Sequence, residues 1–502
     1  MRCSIDVDQK LIESTIATRF REYLRMQKKF ISNLALMVLL NLLVKPIAIF
    51  GIDAAVQNRV GDADYGIYFS LLNFSFLFNI LLDLGINNFT TKNVAQHPED
   101  ASKYLNNVLT FRFILFGLYA VVAFGIGYLL NWNGYQMYLL SFLVLNQFII
   151  TLISYARSHF GGLLMFKNDA IISILDRFLL IIFCGILIYT PVTSAPFKIE
   201  WFIWIQTLCY VITLFVAAIM LFSQFGVPRL KFSPAFSYSI IKKSFPYALL
   251  IFLMMIYTRI DSVMVERMHA NGAVEAGFYA KGFRLLNAFF MFAMIFSSLL
   301  FPIFSKMFKQ KENVTPLLST ASKLLIGGAI LIGIVSFFNS EYILSLIYNN
   351  DIAESKVPFQ LLMFSFIGMC STIVFGTLLT AKGDMKFLNT ISAIGIVINV
   401  TINSILIPKY GATGAAVATV ITQSLISLIQ FIYSVSVLKM KFTFLAVGRF
   451  SIFISLLFTL CFYVKADSGL ALFGLCSAGV VGMMLFKLID LKNLRLILKL
   501  KE

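Results

Sequence analysis

Charged residues are scarce in this 502-residue sequence: they make up 13% of it, whereas hydrophobic residues make up 59%. The mean hydropathy is +0.86. Soluble globular chains carry about 25% charged residues. A soluble fold of this length could not bury so much apolar surface, so the composition excludes a soluble protein and predicts a polytopic membrane protein.

Residue patterns for covalent catalysis or metal binding are also missing. The six cysteines form no CxxC pair, and the histidines at 97, 159 and 269 lie far apart in the sequence. The sequence contains no G-x-x-x-x-G-K-[ST] phosphate loop. We therefore expect no enzyme, no cofactor, no metal site and no disulfide framework. The function class that remains for such a membrane protein is a secondary transporter.

Long apolar runs follow one another along most of the chain. A transmembrane helix needs about 20 mainly apolar residues. We predict an all-α polytopic membrane protein with about 14 transmembrane helices. Their predicted bounds are 34–58, 64–88, 108–130, 136–157, 168–190, 200–223, 244–266, 275–305, 317–338, 356–380, 387–407, 411–437, 442–463 and 469–487.

Lysine and arginine outnumber aspartate and glutamate by 41 to 24, which gives a formal net charge of +17. When the basic N-terminal arm is taken as one side of the membrane, most of the basic loop residues fall on that same side. The positive-inside rule then places both termini in the cytoplasm. The charge thus predicts a topology in the cytoplasmic (inner) membrane and contact with membrane lipids, and we expect no nucleic-acid partner.

One short motif occurs twice. Residues 61–68 read GDADYGIY and residues 272–279 read GAVEAGFY, so both fit G-x-x-[DE]-x-G-x-Y. In the predicted topology both copies lie on the outer side, each after a span that begins near a proline. Parallel repeats of this kind indicate two bundles related by an axis along the membrane normal, with a site between them. We therefore expect two pseudo-symmetric six-helix bundles followed by two extra helices.

These expectations divide the chain into five parts. A basic cytoplasmic N-terminal arm (1–33) precedes an N-terminal six-helix bundle (34–223). A cytoplasmic linker (224–243) then leads to a C-terminal six-helix bundle (244–437). The last part (438–502) holds the two extra transmembrane helices and a basic cytoplasmic tail.

Ionisable and amide side chains recur deep inside the predicted spans. A charge at the membrane centre costs about 2.5–3.5 kcal/mol on insertion scales, so such residues usually face a partner, water or a ligand. Basic residues near a cytoplasmic end, such as Arg112, can instead reach the membrane surface. For Asp176 and Arg177 we expect ion pairs with neighbouring helices. The other deep residues predict a polar cavity between the bundles, with pairing between helices as the alternative.

The candidate site residues fall into three groups. The candidate substrate-binding residues are basic, namely Lys45, Arg177, Arg259, Lys281 and Arg284. The candidate coupling residues are Asp53 and Asp261, because a partly desolvated carboxylate can carry a proton or bind Na⁺; a salt bridge to Lys45 is the alternative for Asp53. The candidate polar residues of the cavity are Asn41, Gln57, Asn79, Asp83, Asn287, Asn399 and Asn403.

Several stretches of the sequence together resemble one known group. They read DADYGIYFSLLN with LLDLGI, FPYALLIFLMMIYTRIDSVMV, GFYAKGFRLL followed by LLFPIFSK, and NVTINSILIPKYGATGAAVATVIT. In the order of these stretches and in the predicted number of spans, the sequence resembles polysaccharide-biosynthesis flippases of the O-antigen (Wzx-like) type. The same superfamily contains multidrug antiporters and the peptidoglycan-lipid flippase.

The resemblance implies a V-shaped pair of bundles that opens alternately to each side of the membrane. The cargo would be an oligosaccharide, an O-antigen or other surface polysaccharide unit, on a polyprenyl pyrophosphate, with H⁺ or Na⁺ as the candidate coupling ion. The implied partners are this lipid-linked oligosaccharide and membrane lipids; we expect a monomer, with polysaccharide assembly proteins as candidate associates. The alternatives are a cation-coupled multidrug antiporter and a flippase for a peptidoglycan lipid precursor.

The implied pyrophosphate gives the arginines a role. If spans seven and eight are antiparallel neighbours, Arg259 and Arg284 lie at similar depth and can bind one pyrophosphate. Guanidinium groups suit phosphate because they stay charged and donate two hydrogen bonds in a fixed fork. Lys45 would add a third positive charge from the other bundle.

Arg259 and Asp261 lie two residues apart in one predicted span, so they point to different sides of the helix. Asp261 would then face a neighbouring helix or a coupling ion, away from the phosphates. The alternative is that Arg259 forms a structural ion pair with Asp53 or Glu266.

Overall fold

A computed structural model describes residues 41–488, apart from residues 42, 98, 100, 164, 191–194, 229–232 and 440–443. The predicted basic arm (1–33), the first part of span one and the end of the C-terminal tail lie outside the described residues. The described residues form helices and connecting loops, without a strand. This agrees with the all-α prediction, since a backbone inside a membrane must satisfy its own hydrogen bonds.

Each of the fourteen predicted spans contains a helix in the structure. In chain order the helices are α1 (Ile47–Asp53, π-helical), α2 (Ala54–Val60), α3 (Asp62–Leu77), α4 (Ile80–Asp83), α5 (Ile86–Gln96), α6 (Ala101–Leu129), α7 (Gly134–Gly162), α8 (Phe166–Tyr189), α9 (Ile199–Phe225), α10 (Pro234–Met268), α11 (Gly272–Gln310), α12 (Thr315–Phe338), α13 (Ser340–Ser345), α14 (Ile352–Lys382), α15 (Met385–Leu438), α16 (Phe444–Tyr463) and α17 (Gly469–Leu485). Helix α15 contains predicted spans eleven and twelve, which a non-helical residue, Gly411, separates. The prediction of a polytopic all-α membrane protein is confirmed.

The first span changes its helical geometry in the middle. Helix α1 is a π-helix directly after Pro46, which lacks a backbone N–H and so interrupts the α-helical hydrogen bonds. A π-helical turn contains more residues than an α-helical turn. The four-residue spacing of Asn41, Lys45 and Gln57 in the sequence therefore does not correspond to one continuous α-helix.

The second span is broken into α3, α4 and α5. Leu84 has a φ of 44° and Gly85 a φ of 81°, so the helix cannot continue through them. Arg112 donates to the carbonyl of Leu82 (3.1 Å) and to the carboxylate of Asp83 (2.9 Å) beside this break. The expectation that Arg112 reaches the membrane surface is wrong: it is 0% exposed, because a freed carbonyl and a carboxylate in the membrane both need a donor.

The two halves of the chain meet where α3 packs against α10 and α11. A β-carbon at Gly66 would overlap the carbonyl oxygen of Ala273, and one at Gly277 would overlap the carbonyl oxygen of Asp62. Gly66 and Gly277 are the second glycines of the two motif copies, and Asp62 and Ala273 also occupy matching motif positions. We call these two backbone contacts, Gly66 with Ala273 and Gly277 with Asp62, the glycine crossing. The repeated motif thus lets two backbones approach each other at matching positions of the two halves.

The last two helices are an addition to this arrangement. Helices α16 and α17 pack against α12, where Leu331 belongs to a buried apolar cluster with Leu457 and Met483. The side-chain oxygen of Asn339 accepts a hydrogen bond from the backbone N–H of Ala466 (2.7 Å). These contacts fit two helices outside a six-plus-six core, while the domain boundaries given above stay predictions.

Candidate functional site

A cavity of about 610 Å³ lies between the two halves. The N-terminal half contributes residues around α1 and from α3, and the C-terminal half contributes residues of α10 and α11. Six of the predicted site residues line it, namely Asn41, Lys45, Asp53, Arg259, Arg284 and Asn287. Tyr65 and Tyr68, which belong to the first motif copy, also line it. The cavity therefore reaches the part of α3 that forms the glycine crossing.

Arg259 is held from both sides by α3. Its Nη1 donates to Oδ1 of Asn73 (2.7 Å), and its guanidinium carbon lies 4.5 Å from the centre of the Phe76 ring. The amide of Asn73 is itself fixed, since its Nδ2 donates to the carbonyl of Phe69 (2.9 Å). Among the described residues no carboxylate forms an ion pair with Arg259, so the alternative pairing with an acid is not observed.

Arg284 is held by two tyrosines. Its Nη1 donates to the hydroxyl of Tyr348 (2.6 Å), and its guanidinium carbon lies 4.7 Å from the centre of the Tyr65 ring. The other terminal nitrogen, Nη2, is buried and has no hydrogen-bond partner among the described residues. One terminal nitrogen of Arg284 is thus held by a hydrogen bond, and the residue lines the cavity with its charge not neutralised by an ion pair among the described residues.

The cavity carries more positive than negative charge. Lys45 lines it without an ion pair among the described residues, so the expected alternative of a Lys45–Asp53 salt bridge is not observed. Asp53 lines it too, and its Oδ1 is buried without a partner in the described part of the chain. Arg157 also lines the cavity, but its charge is paired with Asp169 (2.5 Å). Among the described residues that line the cavity, three basic residues without an ion pair therefore face one carboxylate without an ion pair.

Two predicted basic residues lie elsewhere. Lys281 is 2% exposed and forms an ion pair with Asp62 (2.7 Å). Gln57 donates to the same carboxylate (2.6 Å) and to the carbonyl of Gly277 (3.0 Å). These contacts join the two halves at the glycine crossing. Neither Lys281 nor Gln57 lines the cavity.

Arg177 is the second basic residue that does not line the cavity. It pairs with its sequence neighbour Asp176 (3.4 Å) and lies 6.0 Å from the centre of the Tyr210 ring. The ion pair therefore forms within α8. The expectation of ion pairs with neighbouring helices for these two residues is not observed in the described part of the chain.

Asp261 lies in a separate polar cluster inside the C-terminal half. Its Oδ1 accepts from Nδ2 of Asn403 (2.6 Å), and its Oδ2 accepts from the hydroxyls of Thr419 (2.5 Å) and Tyr279 (3.0 Å). Nδ2 of Asn403 also donates to Oδ1 of Asn399 (3.1 Å). Asp261 and both asparagines are buried. As the two-residue spacing predicts, this cluster lies away from Arg259.

Asn79 and Asp83 also lie away from the residues that line the cavity. Nδ2 of Asn79 donates to Oε1 of Gln147 (2.7 Å), and Asp83 pairs with Arg112 (2.9 Å). Both side chains bond to other helices of the N-terminal half beside the broken second span. Helical spacing alone does not distinguish a face towards a cavity from a face towards another helix.

Several residues that shape the site had no predicted role. Asn73 and Tyr348 hold the two arginines, and Tyr65 stacks on one of them. Tyr65 lies inside the repeated motif, so the repeat could have drawn attention to it. Asn73 and Tyr348 carry no comparable sequence signal, because their role depends on arginines that are distant in the chain.

Comparison with known proteins agrees with this architecture. The family model described as polysaccharide biosynthesis protein matches residues 30–308, which is more than half of the chain, and the MatE model matches residues 246–405. The capsular polysaccharide biosynthesis protein CapF of Staphylococcus aureus is 30% identical over 147 residues. That match spans 28% of this chain and 36% of CapF.

Solved structures of low sequence identity share the fold. The lipid II flippase MurJ in an inward closed conformation superposes with a TM-score of 0.71 at 16% identity, over 92% of this chain and 99% of MurJ. An inward-facing multidrug resistance MATE family transporter of the MOP superfamily gives a TM-score of 0.58 at 17% identity, over 82% of this chain and 99% of that protein. The fold is that of the MOP transporters, and the chain belongs to the polysaccharide biosynthesis protein family.

Proposed function

We propose that this chain is a flippase for a polyprenyl-pyrophosphate-linked oligosaccharide, a unit of a surface polysaccharide. The cargo would cross the cytoplasmic membrane from the inner to the outer leaflet by alternating access. Both termini would lie in the cytoplasm, and the glycine crossing would close the outer side. The observation that carries the proposal is the cavity between the halves, whose described lining includes three basic residues without an ion pair, contributed by both halves.

A pyrophosphate would satisfy these side chains. Lys45 comes from the N-terminal half, and Arg259 and Arg284 come from the C-terminal half. An unpaired charge inside a membrane protein is costly, and a pyrophosphate offers negative oxygens that match the guanidinium fork. Asn73 and Tyr348 already orient the two arginines, which reduces the ordering that binding requires. Because the cargo would contact both halves, its binding would favour the conformation in which the two halves are closed around it.

The charge of the cavity argues against a multidrug antiporter for cationic drugs. Such a drug would bring positive charge next to Lys45, Arg259 and Arg284, with Asp53 as the one unpaired acid among the described lining residues. Like charges in a poorly hydrated site repel strongly. An anionic cargo is therefore the better match.

The cluster around Asp261 supports a coupling site for Na⁺ or H⁺. Na⁺ prefers oxygen ligands, and the cluster offers the carboxylate of Asp261, the hydroxyl of Thr419 and the amide oxygens of Asn399 and Asn403. Oδ1 of Asn403 is buried without a partner among the described residues. A half-turn of this amide would replace its NH₂ group beside Asp261 by an oxygen, as a cation requires. Asp53, next to the proposed phosphates, is the second coupling candidate.

Loss of the gene tests the proposal in cells. We expect lipid-linked oligosaccharide to accumulate on the inner leaflet, surface polysaccharide to disappear and drug sensitivity to stay unchanged. The control is the same strain with the gene restored. Greater drug sensitivity together with normal surface polysaccharide would contradict the proposal and favour an antiporter.

A further inference from the structure

A second cavity, of about 400 Å³, lies inside the C-terminal half. Residues of α10, α11, α14 and α15 line it. Its volume falls in the range of about 300–1,000 Å³ that is usual for pockets which enclose small molecules. Phe290 and Met294 line both cavities, so the two are neighbours. Thr258 lines the second cavity and the next residue, Arg259, lines the first.

The second cavity differs from the first in its chemistry. None of the described residues that line it is acidic or basic. Its polar groups are hydroxyls and amides, including those of Thr372, Gln423 and Gln430, and they alternate with aromatic and methionine side chains. A lining of this kind can hydrogen-bond an uncharged ligand, whereas a charged group would be left unpaired there.

Two of these polar groups have no hydrogen-bond partner within the part of the chain that the structure describes. Gln430 is 3% exposed and Thr372 is 7% exposed. Oε1 of Gln430 and Oγ1 of Thr372 are buried and have no hydrogen-bond partner among the described residues. A β-carbon at Gly376 would lie 3.3 Å from Oε1 of Gln430, so this glycine leaves room for the amide. Buried polar atoms in native proteins are nearly always hydrogen-bonded. Because both residues line the second cavity, a ligand with hydroxyl groups there would supply the missing partners.

We propose that the second cavity binds the uncharged sugar next to the pyrophosphate of the cargo, with Gln430 and Thr372 as hydrogen-bonding residues. The inference rests on the proposed function and adds a subsite for the glycan. The sugar would be joined to the phosphate that Arg259 binds, and Thr258, the residue before Arg259, lines the second cavity. A sugar hydroxyl can both donate to Oε1 of Gln430 and bond to the hydroxyl of Thr372.

The polyprenyl chain of the same cargo is the competing occupant. An alkyl chain offers no hydrogen bond, so it would leave the buried atoms of Gln430 and Thr372 without partners. The apolar residues of the lining are compatible with a sugar as well, because aromatic side chains pack against the apolar face of a sugar ring. The unpartnered oxygens of Gln430 and Thr372 are therefore the observation that favours the sugar over the alkyl chain.

The test compares two lipids on the purified full chain in lipid nanodiscs. One is polyprenyl pyrophosphate without sugar, and the other carries a neutral oligosaccharide. We expect Gln430→Leu and Thr372→Val each to weaken binding of the glycosylated lipid about tenfold, which corresponds to the loss of about one hydrogen bond. Binding of the sugar-free lipid should not change. Thr213→Val is the matched control, since Thr213 is buried, donates to the carbonyl of Cys209 (2.8 Å) and lines neither cavity.

Thermal unfolding without ligand separates a binding role from a structural one. Oε1 of Gln430 and Oγ1 of Thr372 have no hydrogen-bond partner in the described part of the chain. Their loss in Gln430→Leu and Thr372→Val should therefore leave the unfolding temperature unchanged or raise it. Unchanged affinity for the glycosylated lipid, or an equal change for both lipids, would overturn the sugar subsite and leave the flippase proposal in place. If the unmodified chain binds neither lipid, both proposals fail.

Discussion

Replacing Gly66 with alanine perturbs the glycine crossing directly. A β-carbon there would overlap the carbonyl oxygen of Ala273 and lie 2.8 Å from the backbone nitrogen of Gly277. Both contacts are with backbone atoms, so no side-chain rotation can relieve them. Overpacking of this kind typically costs about 1–3 kcal/mol. This overlap raises the free energy only of conformations in which α3 and α11 touch at this point.

A cost of about 1–3 kcal/mol changes a two-state equilibrium about 5- to 150-fold. We therefore expect Gly66→Ala to shift the protein towards conformations that are open at the crossing. Gly125→Ala is the matched control, because a β-carbon at Gly125 in α6 meets no other atom within 4 Å. That substitution should stabilise the fold by about 0.4–1 kcal/mol, since alanine restricts the unfolded chain.

Pulsed electron spin resonance measures the shift. Spin labels would replace Lys198 in the N-terminal half and Glu354 in the C-terminal half; both residues are exposed and lie on the predicted outer side. We expect a longer distance to appear in Gly66→Ala and no change in Gly125→Ala. A folded Gly66→Ala protein with an unchanged distance distribution would refute the reasoning.

Three further predictions concern buried charges. Lys281→Met should lower the free energy of unfolding by about 3–5 kcal/mol because Asp62 is left unpaired. The double variant Lys281→Met with Asp62→Leu should lose less stability than Lys281→Met alone. Equal losses of stability in thermal unfolding would contradict this prediction. Arg112→Leu should likewise destabilise the protein by about 3–5 kcal/mol and be partly rescued by Asp83→Leu, whereas no rescue would argue against the ion pair. A coupling cation at about 100 times its dissociation constant should stabilise the parent chain by about 2.7 kcal/mol but have no effect on Asp261→Asn; full stabilisation of that variant would argue against the Asp261 site.

The helices could be predicted from the sequence because each depends on a local property. Every predicted span is an apolar run of membrane length, and each contains a helix. The repeated motif also predicted a special contact, since Gly66 and Gly277 permit the close approach of α3 and α11. The opposite directions of Arg259 and Asp261 followed from helical geometry alone.

The partners of the polar residues could not be predicted in the same way. Gln57 shares the four-residue spacing of Lys45 and Asp53, yet it bonds at the glycine crossing and does not line the cavity. Lys281 was predicted to bind substrate, yet Asp62 from the other half pairs with it. Arg259 bonds to Asn73, which is 186 positions away in the sequence. Which partner each polar side chain contacts depends on the packing of helices that are far apart in the sequence.

The most direct test of the central claim is cargo translocation in proteoliposomes that contain the purified chain and polyprenyl-pyrophosphate-linked oligosaccharide. We predict that the unmodified chain exposes the glycan on the opposite leaflet and that Arg259→Ala does not, although the variant inserts and unfolds like the parent. Arg259→Lys keeps the charge but loses the fork, so it should retain part of the activity. Translocation by Arg259→Ala at the rate of the unmodified chain would contradict the claim that this cavity holds the pyrophosphate.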